Sequence, residues 1–298
     1  MKYLILLATI FFAGCTSQNI PVTDCHVHLY DTTRPNIHWP REEHGILYRP
    51  YLPEEFNKIA AKNNVKTVVV VLAGQNIEDN EWNLKITEPY KDLYKGIVGN
   101  LSRIIATDEF APLFKKLCKD KRYVGYRLSG KYKDGLSDEL MRDLKLTAEL
   151  GRTVDFLVGG YSMDDIAVIA EKIPNLKIIV DHFGGVRLNG GALDKEWIKG
   201  YRKVAKFPNV YSKVSAMYGR FKNQPAPMEI KPYKEILDLT YEIFGEDRVV
   251  YGSDWPVTKQ TGNYASILKL LNSYMDQKGK TAKEKLYHKN ASRFYGVE

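Results

Sequence analysis

Three short stretches place residues that do chemistry close together. The first reads Asp24-Cys25-His26-Val27-His28. In an extended strand successive side chains alternate, so Asp24, His26 and His28 share one face and Cys25 and Val27 the other. Two imidazoles at that spacing can grip one metal ion or one substrate oxygen, or can simply be hydrogen-bonded within the fold. The second stretch is an apolar run, Ile178-Ile179-Val180, closing in Asp181-His182. Alternation puts His182 with Val180 and Ile178, and turns Asp181 the other way as a structural hydrogen-bond partner. The third reads Val250-Tyr251-Gly252-Ser253-Asp254. Here Gly252 leaves room beside its neighbours, and Asp254 presents a carboxylate able to take a proton, bind a metal or cap a turn. Two cations join these candidates, Arg127 and Lys213. Lys213 is grouped by alternation with Tyr211 and Ser215. A cation inside a fold needs an acidic partner or a ligand. Trp39, Trp197 and Trp255 fall just past strands, where indoles either stack on ring substrates or pack.

What positions these residues is a regular alternation of strands and helices. Eight β-rich runs recur, at 21–28, 66–73, 96–101, 123–128, 153–158, 177–182, 210–215 and 248–254. Most are followed by residues with helical periodicity: Phe56, Ile59 and Ala60; Ile166, Ala170 and Ile173; Tyr264, Ile267, Leu268, Leu271 and Met275. Eight such units in 298 residues predict a single-domain α/β fold, a (β/α)8 TIM barrel, rather than an open doubly wound sheet. No glycine-rich phosphate loop follows the first strand, which removes the case for a dinucleotide fold. In such a barrel function gathers at the C-terminal strand ends, where His26, His28, His182, Asp254 and Arg127 fall. The irregular segment 29–53 follows the first strand and is expected at the barrel mouth.

Composition bounds the rest. Hydrophobic residues make up 44% and charged residues 27%, ordinary for a soluble globular domain. The net charge is +8, but the lysines are scattered and no basic run carries interleaved aromatics, so no nucleic-acid partner is expected. Near the start stand a positive Lys2 and a short apolar run, then Phe12-Ala13-Gly14-Cys15. This resembles the lipobox of bacterial lipoproteins, with Phe12 in place of the usual leucine. The resemblance implies a signal peptide over 1–14, lipidation (palmitate among the acyl groups) of Cys15, a tether over 15–21 and a barrel domain over 22–298. It also implies an exported, membrane-anchored protein on the periplasmic side of a bacterial membrane or at the cell surface. Cys25 and Cys118 remain, with Cys25 expected as a buried thiol, so the chain is no disulfide scaffold.

Taken in order, several pieces resemble the amidohydrolase superfamily, in the amidohydrolase-related branch that holds sugar lactonases and the pyrone-dicarboxylate lactonase. They are Asp24-Cys25-His26-Val27-His28, Asn36-Ile37-His38-Trp39, Val124-Gly125-Tyr126-Arg127, Asp181-His182-Phe183-Gly184 after its apolar run, Pro208-Asn209-Val210-Tyr211-Ser212-Lys213, Tyr251-Gly252-Ser253-Asp254-Trp255-Pro256, and Asn290-Ala291-Ser292-Arg293-Phe294-Tyr295-Gly296. The resemblance spans 22–296. It implies hydrolysis at a barrel mouth. In metal-dependent members His26, His28 and Asp254 would be metal ligands, joined by a histidine from the fifth strand. Here that strand, Val154-Asp155-Phe156-Leu157-Val158, offers none. Three protein ligands and a water still make a workable catalytic zinc site, and some lactonases of the branch work without metal. One divalent ion such as zinc, or none, is therefore left open.

The reading is a hydrolase of a small lactone, either a sugar-acid or a dicarboxylate lactone. Asp254 would be general base, with His26, His28 and His182 polarising the carbonyl or holding an ion. Arg127, Lys213, Trp39, His38, Trp255 and Tyr211 would bind substrate. The alternatives are a metal-dependent amidohydrolase or decarboxylase of the same branch, and a non-catalytic ligand-binding surface lipoprotein.

Overall fold

The computed structural model describes residues 20–128, 135–159 and 161–298. The leader, Cys15 and most of the tether lie outside the described residues. Eight parallel strands form one sheet in sequence order: β1 (Val22–Val27), β2 (Val65–Val71), β3 (Tyr94–Asn100), β4 (Tyr123–Leu128), β5 (Thr153–Phe156), β6 (Lys177–Val180), β7 (Val210–Val214) and β8 (Val249–Tyr251). All eight expected strands are present, most of them ending earlier than their apolar runs. The sheet closes on itself where Val27 meets Trp255. There the His28 amide donates to the Trp255 carbonyl (2.7 Å) and the Asp254 amide to that of His26 (2.8 Å). The fold is a single-domain (β/α)8 barrel.

Helices surround the sheet, and several have a local reason to start. Pro53 opens the helix Pro53–Lys62, its fixed φ suited to a first turn and its missing N–H no loss there. Ser162 caps Met163–Lys172 by accepting from the Asp165 amide (3.1 Å), while the Asp165 carboxylate accepts from the Ser162 amide (3.0 Å). Asn263 caps Tyr264–Lys278. Their apolar faces, through residues such as Phe56, Ile166 and Leu271, form the outer core against the outer strand faces. Among the described residues no helix is long and apolar enough to cross a membrane.

A second, smaller core fills the barrel. Cys25, Val69, Val71, Val98, Val124, Ile179 and Val250 meet Ala291, Phe294, Tyr295 and Val297 of the C-terminal segment. The helix Asn290–Tyr295 thus plugs the bottom of the barrel. With that end sealed by apolar packing, the polar side chains of the interior are confined to the upper half.

Candidate active site

Backbone geometry at three strand ends aims the site inward. After β6 the chain turns left-handed at His182 (φ 54°), Phe183 (54°) and Gly184 (63°); after β7 it does so at Ala216 (54°); after β8 at Asp254 (61°). Left-handed non-glycine residues are costly and gather where function holds them. The turn after β6 breaks the period of two, so Asp181 and His182 both project into the mouth. The alternation that sent Asp181 away fails because the strand ends at Val180. A similar failure occurs in β1, whose pairing with β2 shifts between Asp24 and Val27. Asp24 turns out toward the helix Tyr264–Lys278, accepting from Tyr264 Oη (3.0 Å) and the Ser253 amide (2.8 Å). Cys25 joins the barrel interior, as a free buried thiol.

His26, His28, His182 and Asp254 come together. The His26 ring centroid lies 4.9 Å from that of His28 and 4.5 Å from that of His182. Asp254 Oδ1 is 3.2 Å from His28 Nε2 and 3.7 Å from His26 Nε2. Gly252 makes this approach possible, since a Cβ there would sit 2.6 Å from His26 Cβ. His182 Nδ1 is held by Ser215 Oγ (2.8 Å). His28 Nδ1 lies 2.6 Å from the Val71 carbonyl, which can only accept. Nδ1 therefore carries a proton, and Nε2 faces the Asp254 carboxylate.

Beneath this group lies a wholly buried charge network. Lys213 Nζ is 2.5 Å from Asp155 Oδ2, 2.8 Å from Asp181 Oδ1 and 3.2 Å from His26 Nδ1. Tyr295 of the bottom plug also donates to Asp155 (2.8 Å). Burial works against the Lys213 charge, but Asp155 and Asp181 outweigh it and hold its pKa above the ordinary lysine value. Burial raises Asp155 to about 6. Asp181 goes the other way: burial would raise it, but Lys213, then His182 and Arg127, pull it below the usual carboxylate value. Burial drives His26 and His182 well below the ordinary histidine pKa, helped by Lys213 for His26 and by His26 for His182. Both imidazoles are neutral at pH 7.

Several expected substrate contacts are placed elsewhere. Lys213 is 0% exposed and fully engaged, one layer below the mouth, so it is not a substrate-binding cation. Tyr211 lies lower still, with its ring 4.7 Å from Phe294 of the bottom plug. Inward-facing positions early in a strand meet the plug rather than the mouth, and for Tyr211 that removes the expected role. Trp255 is buried between Tyr51 (5.2 Å) and Phe56 (5.1 Å) in the outer core, so its ring cannot face a ligand, although its backbone closes the barrel. Trp197 packs on Tyr201. His38 is exposed on the 29–53 segment, and Trp39 beside it reaches the site, its ring 6.2 Å from His28. Arg127 stands at the β4 end, anchored by Nη2 to the carbonyls of Leu72 (2.6 Å) and Ala73 (3.2 Å), with Nε unpaired.

Sequence reasoning missed Asp155 and Arg220. Asp155 was visible as the one polar side chain between Val154 and Phe156, which face outward. Arg220 lies in an irregular turn after β7 with no period to flag it; it is largely buried, its Nε is unpaired, and Asp254 and Asp181 attract its charge.

One divalent cation suits these donors. His28 Nε2, in the neutral ring, is a lone pair aimed at a carboxylate oxygen 3.2 Å away. Two acceptors that close require a proton or a metal ion between them. His26 Nε2 is buried without a hydrogen-bond partner beside them, and ligand atoms of His26, His28 and Asp254 all lie within 4.8 Å of one another. That is the donor set and spacing of a three-ligand site with an open position.

A closed barrel with histidines from the first and sixth strands and an aspartate after the eighth defines a barrel hydrolase. The chain belongs to the amidohydrolase family, whose model matches residues 23–297, and it is a hydrolase of that superfamily. It is 24% identical over 283 residues to an L-fucono-1,5-lactonase from Burkholderia ambifaria, covering 92% of this chain and 95% of that one. Among solved structures it shares its fold with an amidohydrolase from Burkholderia multivorans with bound zinc (TM-score 0.80, 18% identity, 93% and 100% of the two chains). It also shares it with a probable 2-pyrone-4,6-dicarboxylic acid hydrolase from Acinetobacter baumannii with citric acid bound (TM-score 0.71, 19% identity, 93% and 99%).

Proposed function

We propose that the protein hydrolyses a sugar-acid lactone, with Asp254 as general base. One observation carries the reading. Of the carboxylates gathered inside the barrel, Asp155 and Asp181 are committed to the Lys213 ammonium, whereas Asp254 faces imidazoles at the open end. Asp254 is thus the carboxylate available to take a proton from water. In the reaction, Asp254 removes that proton as the water oxygen attacks the lactone carbonyl carbon. The negative charge that develops on the carbonyl oxygen is met by donors already in place, His182 and the unpaired Nε–H groups of Arg127 and Arg220. Collapse of the tetrahedral intermediate breaks the ring C–O bond, and the proton on Asp254 passes to the departing alkoxide. Trp39, flat and half-buried above His28, offers a face for the sugar ring.

The lactone class is favoured by the relationship to L-fucono-1,5-lactonase along nearly the whole of both chains. A divalent ion, when bound, would be held by His26, His28 and Asp254, and would polarise the carbonyl and acidify water there. The leader reading places this activity outside the cytoplasm, tethered through Cys15; Cys15→Ser should then release the protein from membrane fractions.

The test is proton release by the purified domain across a panel of aldonolactones, with and without chelator. Hydrolysis is expected, and Asp254→Asn should lower kcat by about 10²–10⁴-fold, the usual share of a general base, while leaving the thermal unfolding transition in place. Full activity in Asp254→Asn would remove it from the mechanism. Turnover that survives chelation assigns the work to the protein's own donors, and turnover lost on chelation assigns His26, His28 and Asp254 to an ion.

A further inference from the structure

The interior carries two overlapping groups of potential metal donors. The outer is His26, His28 and Asp254; the inner is His26, Asp181 and His182. Both could hold an ion on distance alone. We propose that the Lys213 ammonium is a built-in cation that fills the inner position permanently, so that a divalent ion is admitted only at the outer one.

The geometry is specific. An ammonium has three N–H donors and no acceptor. Lys213 Nζ has three polar atoms around it: it donates to Asp155 Oδ2 at 2.5 Å, pairs with Asp181 Oδ1 at 2.8 Å and lies 3.2 Å from His26 Nδ1. Two of these, on Asp181 and His26, belong to the inner donor group. A metal ion there would compete with the ammonium for the Asp181 charge, and would sit beside a unit positive charge in a site closed to water. Lys213, Asp155, Asp181 and His26 are all 0% exposed, so neither solvent screening nor a swing of the lysine into water relieves that repulsion. The lysine stem is pinned as well. It lies on the inner face of β7, and Tyr295 of the bottom plug holds Asp155 from below. The outer donors lie on the mouth side of His26, where Asp254 pairs with His28 and His26 rather than with Lys213. A metal can therefore come and go at the mouth while the inner charge stays fixed and holds Asp181; an ion on His26 Nε2 leaves that ring's one proton on Nδ1, which faces Asp181 Oδ1 at 3.5 Å.

The role of Lys213 concerns the site proposed above but not its substrate, and it is tested by counting ions rather than by turnover. Metal-free protein would be equilibrated with Mn²⁺, freed of excess, and measured by elemental analysis and electron paramagnetic resonance. The wild type is expected to hold at most one ion per chain and to show no spin-coupled manganese pair. Lys213→Ala is expected to hold one more ion than the wild type, with a coupled signal wherever both positions fill and His26, having given up its second ring proton, bridges them. Two ions in the wild type, or no gain in a folded Lys213→Ala, would overturn the proposal. Removing Lys213 alone leaves two buried carboxylates unpaired and can prevent folding. The second variant, Lys213→Met with Asp155→Asn, removes one charge of each sign and frees Asp181 and His26; folded and with no gain in manganese, it would overturn the proposal equally. The ion count is read in the same way whether or not any of these proteins hydrolyses a lactone, so failure of the lactonase reading and failure of the Lys213 proposal are told apart.

Discussion

Gly252→Ala tests how tightly the barrel is built around His26. Gly252 has no left-handed φ, so alanine there meets no backbone penalty and its effect is steric. The added Cβ would lie 2.6 Å from His26 Cβ, 3.2 Å from the His26 amide nitrogen and 3.3 Å from Ser215 Cβ. Carbon atoms prefer about 3.5–4.0 Å, so the first contact is short by about 1 Å. The atom struck is not the end of a flexible chain. His26 Cβ moves only with the strand, and that strand is tied to β8 by the Asp254 amide bonding to the His26 carbonyl. The relief must come from separating His26 and Asp254, the residues that face each other across the site. Overpacking of this kind costs about 1–3 kcal/mol, which for a domain of this size lowers Tm by roughly 2–10 °C. A shift of about 1 Å in a catalytic group costs about 10²-fold in rate. The assay is kcat/KM for lactone hydrolysis alongside calorimetric unfolding. Gly219→Ala is the control, since nothing lies within 4 Å of a Cβ there; it should leave both quantities unchanged. Wild-type activity and Tm in Gly252→Ala would refute the packing argument, and with it the claim that Gly252 sets the His26–Asp254 distance.

Two further outcomes follow from buried groups. The folded pKa values of His26 and His182 lie well below the unfolded value of about 6.5, so the stability they contribute is present above pH 6.5 and is lost as pH falls. Asp24, which burial raises to about 6 against the opposing hydrogen bonds of Ser253, the His26 amide and Tyr264, acts with the opposite sign; its contribution is present at low pH and is lost as pH rises through about 6. Asp24→Asn should therefore steepen the acid loss, adding roughly 1 kcal/mol to the stability lost between pH 7 and 5, read from denaturant unfolding of metal-free protein at each pH; an unchanged difference between the two pH values would contradict the burial argument. Tyr211→Phe should leave KM and kcat unchanged and alter stability by less than about 0.5 kcal/mol, because the ring stays against Phe294; a severalfold rise in KM would return Tyr211 to the mouth.

The parts of this molecule legible in its sequence are those governed by strand period and by hydrophobic burial. Eight apolar runs separated by helical stretches leave few closed solutions, and the order of histidines and aspartate at their ends places the chemistry at one mouth. Gly252 was legible for the same reason, since a residue with no side chain between Val250 and Asp254 on one face has a steric meaning. What was not legible is where period two stops. At β6 the strand ends one residue before Asp181, and a left-handed turn at His182 delivers two consecutive side chains to the same cavity, so Asp181 joins the site instead of leaving it. At β1 a register shift sends Asp24 outward while His26 stays within. Depth along a strand was equally hidden. Alternation correctly groups Tyr211, Lys213 and Ser215 on the inner face of one strand, yet each successive inward residue stands a layer higher, so the three meet respectively the plug, the buried carboxylates and His182 at the mouth. A one-dimensional pattern gives the face of a residue but not its height, and in a barrel the height decides whether a cation touches substrate or neutralises the wall behind it. Lys213 is the clearest case. Its type suggested an anion-binding residue, and its layer makes it the internal counter-charge that leaves Asp254 as the uncommitted carboxylate of the site.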